Sequence, residues 1–182
     1  MKRNGDLIFE KTADLVWNNY TIDQQEYDWL IDFVQFAGYK KVLEFGPGTS
    51  TFAFLDAGCR IDTYESEVSY YEEAFMKFLD NPRVRVHLYN NQPEVEIDAG
   101  MYDVAFVDGP AFWYAPTNET HSFARRNTLK CASKHANVIL LHDSKREPEL
   151  TIVSEFLQAN SSWQPFYLCN SNRGIITLKK SI

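Results

Sequence analysis

Four carboxylates stand where short apolar runs end. They are Glu44 in VLEFGPGTS, Glu65 in RIDTYESE, Asp108 in YDVAFVDGP, and Asp143, directly after His142, in NVILLHDSK. Around the first, Gly46 and Gly48 flank Pro47. Two glycines let the backbone turn tightly and approach a ligand with no Cβ in the way. A helix opening near Thr49 would aim its first amides at the same space. A carboxylate beside that turn suits a ligand carrying positive charge better than a pyrophosphate. Glu65 follows Glu44 by 21 residues, the spacing at which an acid closing a second strand can hold both hydroxyls of a ribose. Asp108 and Asp143 can share a divalent cation through hard oxygen ligands. Alternatively, one of them is a general base for a hydroxyl, or each caps its own turn. His142 can act as a base near neutral pH, or it is a packed, hydrogen-bonded structural group; both readings stay open.

These residues need a scaffold that brings strand ends together, and the periodicities supply one. KVLEF, RIDTYE, RVRVHLY, YDVAFVD and NVILLH read as buried strands. Helical spacing separates them. TIDQQEYDWLIDFVQFAG starts on a Thr21/Gln24 capping box and stops at Gly38. TSTFAFLDAG ends at Gly58. EVSYYEEAFMKFL carries Val68, Tyr71, Phe75 and Phe78 on one face. THSFARRNTLKCASKH and EPELTIVSEFLQAN follow. WQPFYLCN and GIITLKK form a closing hairpin. The expected fold is α/β: a doubly wound, mostly parallel sheet of about seven strands with a C-terminal antiparallel hairpin, in one domain over residues 1–182. Residues 1–20 are expected to form an arm or lid. Residues 109–118 read as a loop unusually rich in aromatics, and loops of that kind often bind ligands.

The bulk numbers exclude more than they select. A net charge of −7 with no basic stripe argues against nucleic acid as a partner. No apolar run approaches the length of a membrane span, and the basic N-terminus leads into no apolar segment. Cys59, Cys131 and Cys169 are too few and too scattered for a disulfide framework. A cytoplasmic location is expected.

VLEFGPGTS followed by IDTYESE resembles the first two motifs of class I S-adenosylmethionine-dependent methyltransferases. The resemblance implies a Rossmann-like fold and S-adenosylmethionine as cofactor. It implies that Glu44, Gly46, Pro47, Gly48 and Ser50 surround the methionine portion and that Glu65 takes the ribose. Ser50 stands where the family often has a third glycine, and Thr51 breaks the G-x-G-x-x-G that a nicotinamide enzyme would want. Asn90 or Asn91 would meet the adenine edge, with Tyr64 or Tyr89 packed nearby, and Asp108 would face the cofactor.

The second half resembles two subgroups. Catechol-type O-methyltransferases carry one metal-binding aspartate after each of these strands, which implies a divalent ion on Asp108 and Asp143; their following Asn is Ser144 here. FVDGPAFWYAP, ARRNTL and VILLHDSKREPE are similar to the plant-type glucuronoxylan O-methyltransferases, a polysaccharide-modifying family. That likeness implies O-methylation of a sugar, uronate or other small-molecule or glycan acceptor. By their own chemistry Asp108, His142 and Asp143 are the candidate catalytic groups, Trp113 and Tyr114 of the aromatic loop suit stacking on a sugar ring, and one of Arg125 and Arg126, with Arg126 chosen, can pair with a substrate carboxylate. Arg146 and Glu149, at i and i+3, are expected simply to pair with each other. The compact length leaves little room for an elaborate substrate domain, so a partner or a second subunit, as in a homodimer, is expected to help bind the acceptor. A non-catalytic nucleoside-binding protein with the same fold is the alternative of another class.

Overall fold

A computed structural model describes residues 21–90, 96–97, 100–110 and 125–181. The expected N-terminal arm, most of the aromatic loop with Trp113 and Tyr114, and Asn91 lie outside these residues.

The elements in chain order are α1 (Gln24–Ala37), β1 (Lys41–Phe45), α2 (Thr49–Asp56), β2 (Arg60–Glu65), α3 (Val68–Phe78), β3 (Val84–Leu88), β4 (Val104–Val107), α4 (Arg125–His135), β5 (Val138–His142), α5 (Glu147–Ala159), β6 (Trp163–Cys169) and β7 (Ile175–Lys180). They build one seven-stranded sheet in the order β3-β2-β1-β4-β5-β7-β6. The first five strands are parallel, and β7 runs antiparallel to both β5 and β6. This is the doubly wound sheet with a closing hairpin that the sequence predicts.

Side-chain alternation sorts the central strands into two cores. Val42, Val104, Phe106, Val138 and Leu140 face one side, where they meet Leu30 and Val34 of α1, Phe52 and Phe54 of α2, and Ala74 and Phe78 of α3. Leu43, Phe45, Ala105, Val107, Ile139 and Leu141 face the other, against Leu129 of α4 and Ile152 and Phe156 of α5. The period of two then has a consequence for the site. Glu44, Asp108 and His142 share the parity of Val42, Phe106 and Leu140, so all three project toward the α1–α2 layer at the carboxyl edge of the sheet.

Two local expectations are corrected. The capping box of α1 is Asp23 with Glu26, not Thr21 with Gln24: Asp23 Oδ1 accepts from the Glu26 amide at 2.8 Å, and Glu26 Oε2 accepts from the Asp23 amide at 2.9 Å. Gly38 ends the helix in the left-handed conformation, as expected. On α3, Ala74 and Phe78 are buried while Val68 and Phe75 are exposed. The small Ala74 leads the contact with the sheet, and the Phe75 ring packs on Tyr71 at the surface with centroids 5.8 Å apart. Among the described residues no helix is long and apolar enough to cross a membrane.

Candidate active site at the carboxyl edge of the sheet

The turn after β1 is held from below. Glu44 is fully buried; its Oε1 accepts from Ser50 Oγ at 2.6 Å and its Oε2 from Thr51 Oγ1 at 2.7 Å. Thr51 Oγ1 in turn accepts from the Gly48 amide at 3.0 Å. The carboxylate therefore ties the first turn of α2 to the end of β1 and does not face a ligand. That corrects the expectation that Glu44 meets a cationic group, and it moves Ser50 beneath the turn as well. Burial pushes the Glu44 carboxyl up to about 7, against the pull of the two hydroxyls.

Gly46 adopts φ +92°. A Cβ there would lie 2.9 Å from the Gly109 amide nitrogen, so the turns after β1 and β4 touch backbone to backbone. This close approach requires glycine twice over, by conformation and by space. Gly48 is different: among the described residues a Cβ there would meet nothing within 4 Å. Open space above the N-terminus of a helix is a place for an anionic group.

At the end of β2, Glu65 Oε1 accepts from the amides of Ser66 at 2.6 Å and Glu67 at 2.9 Å. Among the described residues no hydrogen bond reaches its Oε2. The carboxylate is oriented through one oxygen and unspent at the other, and burial raises its pKa. Asn90 lies exposed just past β3, and Tyr89 is buried edge-on to Phe45.

The β4 and β5 ends form a dense ionic cluster. His142 is fully buried between two carboxylates, with Nδ1 2.8 Å from Asp108 Oδ1 and Nε2 3.1 Å from Glu26 Oε2. Glu26 also accepts from Ser171 Oγ at 2.5 Å. Burial alone would lower the imidazole, but Asp108 and Glu26 overcome it and raise it to about 9. A protonated ring with both nitrogens occupied cannot accept a proton. Of the two sequence readings of His142, the packed structural group fits and the base does not.

Asp143, also fully buried, sits at φ 60°. It is surrounded by three guanidinium groups: Arg125 Nη2 at 3.0 Å, Arg146 Nη1 at 2.8 Å and Arg173 Nε at 2.5 Å. Burial opposes its ionisation, yet these cations and the neighbouring imidazolium hold its pKa far below the usual carboxylate range. Both of its oxygens are paired with guanidinium groups and the side chain is fully buried, out of a substrate's reach, which corrects its assignment as catalytic. Asp108 differs, since its side chain keeps 18% exposure. Its Oδ1 is taken by His142 and by Arg125 Nη2 at 2.9 Å, and among the described residues nothing reaches Oδ2. It is the one predicted catalytic residue that opens to the mouth.

Asp108, His142 and Asp143 each offer a donor atom within 4.8 Å of the others. The set does not fit a metal, because the Arg125 nitrogen stands between the two carboxylates. The arginine at the site is thus Arg125, which also donates to the His142 carbonyl at 3.0 Å. Arg126, the expected substrate residue, is half-exposed and pairs with Glu155 on α5. Arg146 pairs with Asp143 first and approaches Glu149 only at 3.6 Å. Sequence reasoning misses Glu26, Ser171 and Arg173, and of the two adjacent arginines it chooses Arg126 over Arg125. Only Glu26 had a local signal, the Asp23/Glu26 capping spacing, and nothing in that spacing says that the second face of its carboxylate meets His142.

The imidazolium predicts an alkaline limit on stability. His142 binds its proton more tightly folded than unfolded, so its contribution is present in full below pH 6.5 and lost as pH rises through about 9. The size is on the order of 3 kcal/mol. Glu44, raised to about 7, loses stability in the same direction at lower pH. Among the described residues the charged groups facing His142 are Asp108 just after β4, Glu26 from α1 and the adjoining Asp143, with Arg125 on its carbonyl. Thermal melts should fall steadily between pH 6.5 and 9.5; a flat profile there would mean a neutral ring.

No protein-family model matches the sequence, and no curated protein matches it significantly. Solved structures do. The O-methyltransferase TomG of Streptomyces achromogenes, involved in tomaymycin synthesis and solved with S-adenosylmethionine, superposes with a TM-score of 0.65 at 13% identity, covering 100% of this chain and 92% of that one. An O-methyltransferase from Bacillus cereus with S-adenosylhomocysteine gives 0.63 at 15% identity, over 92% and 86%. A candidate RNA methyltransferase from Pyrococcus horikoshii gives 0.68 at 12% identity, over the full length of both. The fold is the Rossmann-like fold of class I methyltransferases.

Proposed function

We propose that the chain binds S-adenosylmethionine at the carboxyl ends of β1 and β2 and methylates an oxygen of a small hydroxylated acceptor, a sugar or uronate first among them. The observation that carries this reading is the meeting, at one edge, of an open glycine turn at a helix N-terminus and a carboxylate at the next strand end with one oxygen unspent. Two of the similar structures named above hold this cofactor or its product, which supports the same ligand here.

When bound, the cofactor supplies an electrophilic methyl group on a sulfonium. The chain's part is to bind and align. The turn at Gly46, Pro47 and Gly48, with the first amides of α2, receives the methionine carboxylate. Glu65 accepts the ribose hydroxyls through Oε2 and is kept in place by the Ser66 and Glu67 amides. Asn90 meets the adenine edge. Asp108, reaching the mouth through Oδ2, orients the acceptor hydroxyl and takes its proton as the bond to carbon forms. His142 and Arg125 fix Asp108 by its other oxygen and hold its pKa down against its burial. Such a carboxylate orients a hydroxyl better than it deprotonates one in advance. Trp113 and Tyr114 are assigned to stacking on the acceptor ring.

Calorimetry with S-adenosylmethionine and S-adenosylhomocysteine, with NAD as control, tests the reading. Dissociation constants on the order of 1–100 μM for the first two, and none for NAD, are expected. Glu65→Ala should weaken both by about 100-fold, the loss of hydrogen bonds to a charged acceptor. Absence of binding by the wild type would leave the fold without this function.

A further inference from the structure

Two aspartates at neighbouring strand ends would share a divalent ion through hard oxygen ligands if nothing else stood between them. Here Arg125 Nη2 lies 2.9 Å from Asp108 Oδ1 and 3.0 Å from Asp143 Oδ2. One nitrogen bridges the pair. On the other side of Asp108 Oδ1 stands His142 Nδ1 at 2.8 Å, and its Nε2 faces Glu26 Oε2 at 3.1 Å. An ionised carboxylate only accepts hydrogen bonds, so a ring facing carboxylates at both nitrogens donates from both and carries a full charge. A guanidinium and an imidazolium, both buried, therefore present two positive charges to the two negative charges of Asp108 and Asp143. Positive charge of the kind a divalent ion would supply is thus already held on protein side chains, with Glu26 also balancing His142 and with Arg146 and Arg173 also on Asp143.

The guanidinium is not a casual occupant. It is 6% exposed and its Nη1 is spent on the His142 carbonyl at 3.0 Å, with Glu149 Oε1 at 3.6 Å. The remaining capacity of Asp143 goes to Arg146 and Arg173. A metal would need to sit about 2.1 Å from each oxygen, in the place where this nitrogen lies.

We propose that Arg125, with His142 beside it, stands in for the divalent cation at these strand ends, so that the site works with a resident protein charge and takes no metal. Asp108 is then presented to the mouth by a covalently tethered cation, and Arg125 is a positioning residue. The inference stands on this charge arrangement and not on methyl transfer, so the titration below and the nucleoside titration above can fail separately.

The experiment is titration of the full chain with Mg²⁺, Mn²⁺ and Co²⁺, by calorimetry and by thermal melting, beside Arg125→Met, which keeps much of the side chain's length without its charge. The wild type is expected to give no saturable heat up to about 1 mM, the weak end of known protein sites for hard divalent cations. Arg125→Met is expected to melt lower and to regain about 3–6 °C at tenfold excess of Mn²⁺ over its dissociation constant. A purely structural arginine would give the loss without the metal-dependent recovery. Saturable Mn²⁺ binding by the wild type, abolished in Asp108→Asn, overturns the proposal. A folded Arg125→Met indifferent to all three ions overturns it as well. Should that variant not fold, the wild-type titration decides alone, absence of binding supporting the proposal and saturable binding sinking it.

Discussion

Asp143→Ala is expected to lower the melting temperature by about 6–20 °C, or to leave the chain unfolded, and not merely to silence a site. The reason is the company the carboxylate keeps. Arg125, Arg146 and Arg173 converge on it from α4, the segment before α5 and the hairpin between β6 and β7, so it joins three parts of the chain at one fully buried point. Removing one partner of a buried ion pair costs about 3–5 kcal/mol, because the other charge stays buried. Here three cations lose a shared anion. A domain has only about 5–15 kcal/mol in total, and 1 kcal/mol moves the midpoint of a chain this long by about 2–4 °C. Asp143→Asn, which keeps an acceptor and the volume, should lose less. A melting temperature for Asp143→Ala within about 2 °C of the wild type would show that the residue is a replaceable site ligand after all.

The difference between this picture and the one drawn from the sequence lies in what local pattern can carry. Strand alternation and the glycine turn are local, and they were enough to place β1 to β7 and the closing hairpin. The same alternation put Glu44, Asp108 and His142 at strand ends on the edge where ligands of such sheets bind. What it could not say is whether a strand-end carboxylate looks up at the mouth or down into the protein. Glu44 looks down because Ser50 and Thr51, six and seven residues later, turn their hydroxyls back onto it. That was in principle readable, since a helix starting at Thr49 has both hydroxyls on its first turn. The fate of His142 was not. It depends on Glu26, 116 residues away in sequence, and a contact of that range leaves no trace in one chain's periodicity. The choice between Arg125 and Arg126 is of the same kind: adjacent identical residues, one buried against three carboxylates and one paired at the surface with Glu155.

The cluster also separates holding from acting, and this gives the second large effect. Asp108→Asn is expected to reduce methyl transfer by about 10²–10⁴-fold, the usual range for a positioned proton acceptor. Its effect on S-adenosylhomocysteine binding should stay under about tenfold, because Glu65, proposed for the ribose, and the glycine turn proposed for the methionine portion follow other strands. The split matters because Asp108 belongs to the cluster by one oxygen and to the mouth by the other. Asparagine can keep its carbonyl toward Arg125 and His142, as Oδ1 does now, and would then turn an amide toward the acceptor. An amide donates where the carboxylate accepted, so the hydroxyl loses both its alignment and the destination of its proton. The side chain's 18% exposure makes this variant more tolerable to the fold than any change at fully buried Asp143. Turnover with a sugar or uronate acceptor, set beside calorimetry on the same preparation, reads the two quantities separately. Equal loss of both would mean that Asp108 binds cofactor rather than acceptor, whereas unchanged turnover would remove it from the chemistry and leave the proton to bulk water.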